Sequence, residues 1–257
     1  MKVEFFKYQG TGNDFIMINN LDGKFPKQQH IVRKMCSRKY GIGSDGLICV
    51  DRVDDCDFYM DFFNPDGSQS FCGNGSRCVV AFAKYLGLLY SKAYFKAVDG
   101  YHEAEINDEG EVKVKMIDVD TIEIGKNFYI MNTGSPHYIT EVDNLQELDM
   151  FKLGREIRFS ERFKDAGINV NAVKLGDDYV SMRTYERGVE NETLSCGTGV
   201  TAVALSSIHK GWFDNKVKIK APGGNLSVEA KYHGGEKFTD VWLIGEAEQV
   251  FKGEFDV

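Results

Sequence analysis

The sequence predicts an α+β fold made of two pseudo-symmetric domains, each a curved, mainly antiparallel sheet wrapped around a central buried helix. Three observations predict it. A cysteine-glycine signature occurs twice, the segment after each copy is apolar around nearly the whole circumference of a helix, and short strand-like runs fill most of the remaining chain. A helix without a polar face must be buried on all sides, which a surrounding sheet achieves.

The two copies of the signature begin at Cys72 and Cys196, as Cys72-Gly73-Asn74-Gly75 and Cys196-Gly197-Thr198-Gly199. A shift that places the first cysteine on the second superposes further pairs: Gly87 on Gly211, Lys96-Ala97 on Lys220-Ala221, Gly100 on Gly224 and Glu105 on Glu229. We interpret the chain as a duplicated unit. The expected domains are residues 1–117 and 118–246, with a C-terminal strand at 247–257 that returns to the first domain.

Runs rich in β-branched and aromatic residues, separated by turn residues, predict the strands. They are 3–7, 15–19, 47–50, 58–63, 94–97, 101–106, 112–116, 128–131, 138–140, 170–173, 179–185, 217–220, 226–232 and 241–244. Helical patterns cover 27–38, 75–86, 150–157 and 200–208, and Gly87 and Gly211 are expected to end the second and the fourth. Because the connections are short, we expect mainly antiparallel or mixed sheets without βαβ crossovers.

Composition and charge narrow the class of protein. The chain is 42% hydrophobic, and 31 Lys and Arg against 39 Asp and Glu give a net charge of −8. That charge disfavours nucleic acid as a partner, because phosphate binding needs a basic surface. No run approaches the roughly 18 apolar residues of a membrane span, and no signal peptide is recognisable. We therefore expect a cytoplasmic protein.

Six cysteines could form three disulfides, but the length and the missing secretion signal favour a reducing compartment. No Cys-x-x-Cys pair occurs in the sequence, so no metal site is expected. Four of the thiols are expected to be small core residues. These are Cys36, Cys49, Cys56 and Cys78.

The remaining thiols, Cys72 and Cys196, stand at the predicted helix starts. Unpaired amide groups and the helix dipole stabilise a thiolate there, and the same amides bind carboxylate groups. Two thiols on opposite faces of one α-carbon could remove a proton and return another, which inverts the centre without a cofactor. The alternatives are that both cysteines only pack, or that Gly-x-Gly is a common helix entrance; a P-loop is excluded because neither turn has Lys followed by Ser or Thr.

In this order the motifs of the chain resemble the diaminopimelate epimerase family, from residue 2 to about residue 254. The motifs that carry the resemblance are Phe6-Lys7-Tyr8-Gln9-Gly10-Thr11-Gly12-Asn13-Asp14-Phe15, Gly41-Ile42-Gly43-Ser44-Asp45-Gly46, Asn64-Pro65-Asp66-Gly67-Ser68, Cys72-Gly73-Asn74-Gly75-Ser76-Arg77-Cys78, Gly134-Ser135-Pro136-His137, Asn169-Val170-Asn171, Tyr185-Glu186-Arg187-Gly188 and Thr193-Leu194-Ser195-Cys196-Gly197-Thr198-Gly199.

The resemblance implies a cofactor-independent epimerase that interconverts LL- and meso-2,6-diaminoheptanedioate in lysine and peptidoglycan-precursor synthesis. It implies Cys196 as the proton acceptor, Cys72 as the proton donor, and His137 and Glu186 as further catalytic residues. The substrate-binding residues that it implies are Asn13, Asn64, Gly73, Asn74, Asn169, Glu186, Arg187, Gly197 and Thr198. It also suggests a homodimer, and it implies neither a cofactor nor a metal.

Two positions depart from the family pattern, which often has glutamine in place of Gly46 and asparagine in place of Ser135. Several implied residues also have simpler interpretations. His137 could be a turn histidine, asparagines near glycine and proline commonly cap turns, and Glu186-Arg187 could be a solvated ion pair.

Two rival functions remain open from the sequence. One is a racemase of the same architecture for another amino acid; Arg187 and the asparagines instead suit a substrate with a second charged amino-acid end. The other is an amino-acid-binding protein without catalysis, for which the paired cysteines would be unnecessary. Uptake of deuterium at the α-carbon discriminates these functions.

Overall fold

The computed structural model describes all 257 residues, which form seventeen strands and four helices. The strands are β1 (Lys2–Gly10), β2 (Asn13–Asn20), β3 (Gly46–Asp51), β4 (Phe58–Phe63), β5 (Lys92–Ala97), β6 (Gly100–Ile106), β7 (Glu111–Lys115), β8 (Ile122–Ile124), β9 (Phe128–Asn132), β10 (Pro136–Glu141), β11 (Asn169–Leu175), β12 (Val180–Glu186), β13 (Asn191–Thr193), β14 (Lys216–Ala221), β15 (Gly224–Tyr232), β16 (Phe238–Glu246) and β17 (Glu248–Asp256). The helices are α1 (Gln29–Cys36), α2 (Gly73–Tyr85), α3 (Met150–Arg158) and α4 (Gly197–His209).

The chain divides into two compact units, one of Met1–Val114 with Gly245–Val257 and one of Lys115–Ile244. Strand pairing in the first unit runs β17-β1-β2-β3-β4-β5-β6-β7, with β2–β3 and β4–β5 parallel and the other neighbours antiparallel. The second unit runs β8-β9-β10-β11-β12-β14-β15-β16, with β10–β11 and β12–β14 parallel and the others antiparallel. The duplication seen in the sequence therefore extends to strand order and direction, and the predicted fold class is confirmed.

One expectation about the connections is wrong. The parallel pairs β2–β3, β4–β5, β10–β11 and β12–β14 are each joined through a helix, α1, α2, α3 and α4 respectively. The sheets are mixed and mainly antiparallel as predicted, but they do contain crossovers. The connections are longer than expected because the four helices, including the buried α2 and α4, themselves link the paired strands.

Each central helix is enclosed by the sheet of its own unit. Helix α2 packs against β1, β2, β3, β4 and β6, and α4 packs against β9, β10, β11, β12, β14 and β15. Side chains of both helices pack against the surrounding strands, among them Phe82 of α2 and Val203 of α4, both fully buried. The apolar circumference of both helices is thereby removed from water, which is the main stabilising contribution.

The outer faces of the sheets carry the two remaining helices. Val32 and Met35 of α1 join one apolar cluster, and Met150 of α3 joins another. Gly87 and Gly211 have φ angles of 74° and 73° immediately after the ends of α2 and α4, so the predicted glycine stops are confirmed. None of the four helices has the length and apolar character that crossing a lipid bilayer demands.

Candidate functional site

Both signature cysteines cap a helix in the same backbone conformation. Cys72 has φ −135° and ψ 115°, Cys196 has φ −125° and ψ 110°, and each immediately precedes its helix. Their carbonyl groups accept the first helical hydrogen bonds, from Ser76 at 2.8 Å and Val200 at 2.9 Å. The helices start two and three residues earlier than the apolar pattern predicted, so the Gly-x-Gly segments form their first turns. The amides of these turns point outward from the helix start and favour an anion.

The second glycine of each signature meets a different environment. A Cβ atom on Gly75 would lie 3.0 Å from Ile48 Cδ1 and 3.2 Å from Met60 Cε, both ends of flexible side chains. A Cβ on Gly199 would lie 2.7 Å from Asn171 Oδ1 and 3.2 Å from the His137 ring. Because Gly199 has no side chain, Asn171 and His137 can approach the start of α4 closely. At the equivalent position of α2, Gly75 lies against the apolar side chains of Ile48 and Met60.

The first half-site is centred on Cys72 and Asn13. The sulfur accepts a hydrogen bond from the amide of Gly75 at 3.4 Å and lies 3.7 Å from Asn13 Oδ1. The amide nitrogen of Asn13 donates to Asp45 Oδ2 at 2.6 Å, so its oxygen is the atom turned toward the sulfur and toward Asn74 Nδ2. A carbonyl oxygen only accepts hydrogen bonds, so this contact favours the protonated thiol of Cys72.

A charged network holds Asp45 in place. Arg38 donates to Asp45 Oδ1 at 2.7 Å and to Asp14 Oδ1 at 2.6 Å, and Lys7 lies 2.7 Å from Asp14 Oδ2. Burial alone would raise the pKa of Asp14, but the hydrogen bonds from Arg38 and Lys7 outweigh it and lower that pKa to about 2. Asp14 is therefore ionised at neutral pH, and the contacts of Arg38 and Asp45 fix the orientation of Asn13.

Arg77, in the second turn of α2, is fully buried. Its guanidinium donates to three neutral acceptors, Thr11 Oγ1 at 2.9 Å, Asn74 Oδ1 at 3.1 Å and the carbonyl of Glu246 at 3.4 Å. Burial lowers the pKa of this side chain, since no surrounding group compensates fully for lost hydration. Arg77 thus orients Asn74 and places a positive charge beneath the helix start.

Two further positions of the first unit, Asn64 and Gly46, are explained by their local contacts. The amide nitrogen of Asn64 donates to Ser68 and Ser70 of its own loop, which is the turn-capping pattern considered from the sequence. At Gly46 a Cβ atom would lie 2.3 Å from the Phe62 ring. The ring occupies the space of a side chain, so the glutamine of the family pattern could not be placed here without moving Phe62.

The second half-site contains His137, which is fully buried in β10 and is not a turn residue. Its Nε2 lies 2.8 Å from Thr198 Oγ1, and its Nδ1 lies 3.2 Å from Asn171 Nδ2. Burial, followed by the nearby charge of Arg187, lowers the pKa of His137 to about 3. The imidazole is therefore neutral at physiological pH. The hydroxyl of Thr198 also lies 3.4 Å from Cys196 Sγ.

Asn169, Ser135 and Arg187 form a connected group in the same unit. Asn169 donates to Ser135 Oγ at 2.9 Å and accepts from the backbone amide of Arg187 at 2.8 Å. The guanidinium of Arg187 donates to the carbonyl of Ala166 at 3.0 Å and to Ser135 Oγ at 3.4 Å. The hydroxyl oxygen of Ser135, the residue that departs from the family pattern, thus accepts hydrogen bonds from both Asn169 and Arg187. Arg187 is exposed and directs its protein contacts to neutral oxygens.

Glu186 does not share its contacts with Arg187. Its carboxylate accepts a hydrogen bond from Thr193 Oγ1 at 3.0 Å. Burial raises the pKa of Glu186, and the Thr193 hydroxyl partly opposes that shift. The solvated ion pair considered from the sequence is therefore absent, and the carboxyl group takes up a proton more readily than an ordinary glutamate.

Several residues that shape these half-sites were missed from the sequence: Asp45, Arg77, Asn171, Thr184 and Thr193. Asn171 had a usable signal, because it lies two residues after Asn169 on one strand and so projects from the same face. Asp45 and Arg77 lie inside motifs that were recognised, but only the fold shows which groups they hold. Thr193 also lies inside a recognised motif, whereas Thr184 carries no signal in a single sequence.

The glycine contacts give a matched prediction about stability. We expect Gly199→Ala to lower the free energy of unfolding by about 1–3 kcal/mol, because Asn171 and His137 are held by hydrogen bonds and cannot give way. Gly75→Ala should be near neutral, since Ile48 and Met60 can adjust and alanine favours the helix. Urea unfolding measures both, and a Gly199→Ala variant as stable as Gly75→Ala would contradict the packing argument.

The chain matches a known family in two segments that together span most of its length. The family model for diaminopimelate epimerase matches residues 5–122 and 129–250. A diaminopimelate epimerase of Flavobacterium psychrophilum is 45% identical over 254 residues, covering 97% of this chain and 99% of its own length.

Solved structures with the same fold have little sequence in common with this chain. A PhzF-family phenazine biosynthesis protein of Bacillus anthracis has a TM-score of 0.76 at 14% identity, covering all of both chains. A hydroxyproline epimerase of Agrobacterium vitis with bound trans-4-hydroxy-L-proline has a TM-score of 0.69 at 14% identity, covering 98% of this chain and 92% of its own. These likenesses support the fold, whereas the family match and the close relative extend over nearly the whole sequence. The chain belongs to the diaminopimelate epimerase family.

Proposed function

We propose that this protein is a diaminopimelate epimerase, an isomerase that interconverts LL- and meso-2,6-diaminoheptanedioate by acid/base catalysis between two cysteines, without a cofactor. The observation that carries the proposal is the matched pair of helix caps, because Cys72 and Cys196 have the same backbone conformation at equivalent places of a duplicated fold. In the proposed reaction both half-sites act on one substrate molecule.

The thiolate of Cys196 takes the α-proton of the LL isomer, and the thiol of Cys72 gives a proton to the opposite face. The hydrogen-bond acceptor beside Cys72 supports this division, because Asn13 Oδ1 favours a protonated sulfur. The reacting carboxylate binds the amides of Gly73-Asn74 and Gly197-Thr198, where each helix start offers unpaired donors. Charge that develops on the carboxylate during proton removal is then stabilised by the same donors.

The rest of the substrate is an amino acid with both donors and acceptors, which carboxamides suit. In our proposal Asn13, Asn64 and Asn169 bind the remaining amino and carboxyl groups together with Glu186 and Arg187. Arg187 takes the distal carboxylate, because its guanidinium is exposed and its protein partners are neutral. His137 and Glu186 tune the reacting centre, the first as a neutral imidazole.

Incubation with LL-diaminopimelate in heavy water tests the proposal. A two-base epimerase places deuterium at the α-carbon of the meso product while recovered LL substrate initially keeps its proton, because each face has its own acid or base. Label in both isomers at early times would indicate a single base. Binding of diaminopimelate without any exchange would indicate a binding protein and would overturn the proposal.

A racemase for another amino acid is the second candidate, favoured by the fold shared with the hydroxyproline epimerase. The same exchange experiment with proline, hydroxyproline, lysine and glutamate separates the candidates. We expect exchange with diaminopimelate alone, because Arg187 supplies a site for a second carboxylate. Faster exchange with proline or hydroxyproline would favour the racemase.

The pKa of Glu186 gives a pH prediction. Removing the Thr193 hydroxyl by Thr193→Val should raise the pKa of Glu186 further, because that hydrogen bond stabilises the carboxylate. A larger fraction of Glu186 is then protonated at a given acidic pH. The acid limb of kcat/KM should move to higher pH while the value at alkaline pH is kept.

Thr140→Val, in which a hydroxyl that donates to the carbonyl of Asn127 is lost, is the control for a strand threonine away from Glu186. An acid limb that stays in place in Thr193→Val would show that Glu186 is not needed as a carboxylate.

We also propose that the enzyme works in the cytoplasm as a homodimer. A reaction that needs two reduced thiols suits a reducing compartment. Strand β17 pairs with β1 and carries exposed Val250 and Phe251, a combination that favours association along a sheet edge. Sedimentation of the wild-type protein and of Phe251→Lys tests the dimer.

A further inference from the structure

The buried polar groups beneath Cys196 have apolar counterparts in the first unit. His137 pairs with Asn169 between β10 and β11 as Phe15 pairs with Gly46 between β2 and β3. Asn171 pairs with Thr184 as Ile48 pairs with Phe62. The glycine contacts agree, because Gly75 faces Ile48 where Gly199 faces Asn171. One architecture thus holds Phe15, Ile48 and Phe62 in one unit and His137, Asn171 and Thr184 in the other.

This difference matters because the fold does not require the polar set. An apolar trio satisfies the same positions in the first unit, whereas buried polar groups are costly unless all of them are hydrogen-bonded. His137 and Asn171 are fully buried and Thr184 is nearly so. The second unit therefore maintains a costly cluster directly under one of its helix starts, which points to a role in the chemistry there.

The hydrogen bonds of Asn171 fix its orientation. Its Oδ1 accepts from Thr184 Oγ1 at 3.0 Å, and its Nδ2 donates to the carbonyl oxygen of Tyr138 at 3.0 Å. A flipped amide would place two oxygens against each other at Tyr138. The atom facing His137 Nδ1 at 3.2 Å is therefore a donor, so Nδ1 accepts. A neutral imidazole has one proton, which must then be on Nε2.

The proton on Nε2 sets the direction of the next contact. Nε2 donates to Thr198 Oγ1 at 2.8 Å, so the hydroxyl proton of Thr198 is available to Cys196 Sγ at 3.4 Å. Asn169 Nδ2 also lies 3.4 Å from Nε2, but this amide donates to Ser135 Oγ at the shorter distance of 2.9 Å. The hydrogen bonds therefore run from Asn171 through His137 and Thr198 to the sulfur of Cys196, which accepts the last of them.

We propose that Asn171 is a positioning residue for Cys196: by fixing the proton of His137 on Nε2, it makes the Thr198 hydroxyl a donor to the Cys196 thiolate. The inference rests on the proposed function in one respect, that Cys196 is the base. It adds an asymmetry between the side chains that face the two thiols. Cys196 faces the Thr198 hydroxyl as a donor, whereas Cys72, which also accepts from the backbone amide of Gly75, faces the acceptor Asn13 Oδ1. A donor favours the thiolate and an acceptor favours the thiol.

The tautomer of His137 can be observed directly. In the full-length wild-type protein labelled with ¹⁵N at histidine, the His137 resonances, assigned by comparison with His137→Gln, should show Nε2 protonated and Nδ1 unprotonated at neutral pH. Asn171→Asp keeps the shape of the side chain but turns the donor into an acceptor, so the proton should move to Nδ1. A wild-type ring protonated on Nδ1 would overturn the proposal.

The effect on the sulfur is measured by the pH dependence of iodoacetamide alkylation at Cys196, quantified by peptide mass spectrometry. Asn171→Asp and the uncharged Asn171→Ile, which copies the residue at the equivalent position of the first unit, should both lower the Cys196 rate at neutral pH about tenfold, the effect of one hydrogen bond to a charged group. Cys56, in the other unit, is the internal reference. The charged side chains of the half-site, Glu186 and Arg187, are unchanged in every variant.

Thr198→Val makes the test specific to the hydroxyl. If Asn171 acts through Thr198, Asn171→Ile should change the Cys196 rate in the wild-type background and leave it nearly unchanged in the Thr198→Val background. Equal effects in both backgrounds would mean that Asn171 acts through packing alone and would overturn the proposal, as would unchanged alkylation in both single variants. None of these readouts needs turnover. Failure here with normal exchange of diaminopimelate would leave the proposed function intact, and the reverse result would refute only that function.

Discussion

Replacing either signature cysteine by serine is expected to lower kcat for diaminopimelate by about a hundred- to ten-thousand-fold, the usual contribution of a positioned acid or base. Serine keeps the size of the side chain and caps helices well, so the fold should be retained. Its hydroxyl, unlike a thiol, does not ionise near neutral pH. Cys72→Ser and Cys196→Ser should therefore fail for a chemical reason and not a structural one.

Cys56→Ser is the matched control, because Cys56 is partly exposed and contacts the carbonyl of Phe58 away from both helix starts. It should keep wild-type activity. Exchange in heavy water adds a second readout. If either signature variant keeps turnover close to that of the wild type, two sulfurs are not the acid and the base. Thermal unfolding of all three variants confirms that any loss of activity occurs in folded protein.

The sequence located the starts of α2 and α4 to within two and three residues because two local signals coincide there. A cysteine followed by Gly-x-Gly and an apolar segment gives both the cap and the burial of the helix, and the repeat shows that the pattern is not accidental. The same signals located the glycine stops at Gly87 and Gly211. The residue of a cap and the burial of a helix are local properties, and a single sequence records them directly.

Contacts between distant segments were not predictable in the same way. Gly46 was recognised as a departure from the family pattern, but only the structure shows that the Phe62 ring occupies its side-chain space. Arg77 reads as an ordinary charged residue of a helix, and its complete burial against Thr11 and Glu246 depends on strands far away in the chain. Such effects arise from packing, which a local pattern does not contain.

The polar cluster around His137 illustrates a second limit. The repeat in the sequence is carried by glycines and flanking residues, so it records what the two halves share. The functional difference between them lies in what they do not share, with His137, Asn171 and Thr184 replacing Phe15, Ile48 and Phe62. Strand register was needed to pair these positions, and the repeat in the sequence alone did not supply it.

Arg187 is held in a way that suits a distal carboxylate. Its stem lies against Gly167, where a Cβ atom would approach Arg187 Cδ to 2.4 Å, and its guanidinium donates to the carbonyl of Ala166 and to Ser135. These contacts orient the planar group without neutralising its charge. An oriented guanidinium offers two parallel hydrogen bonds to a carboxylate, whereas lysine offers a point charge on a flexible stem.

We therefore expect Arg187→Lys to lower kcat/KM for LL-diaminopimelate by about ten- to a hundredfold, the range for losing a hydrogen bond to a charged group. A competitive inhibitor that keeps both amino groups but has a single carboxylate should bind wild type and variant equally, because it has no group for Arg187 to hold. Arg162→Lys, which preserves an exposed pair with Glu123 in the same unit, is the matched control and should behave as wild type. Equal losses in kcat/KM for the substrate and in affinity for the monocarboxylate inhibitor would mean that Arg187 supports the structure of the site and does not bind the distal carboxylate. An unchanged kcat/KM would mean that Arg187 does not contact the substrate.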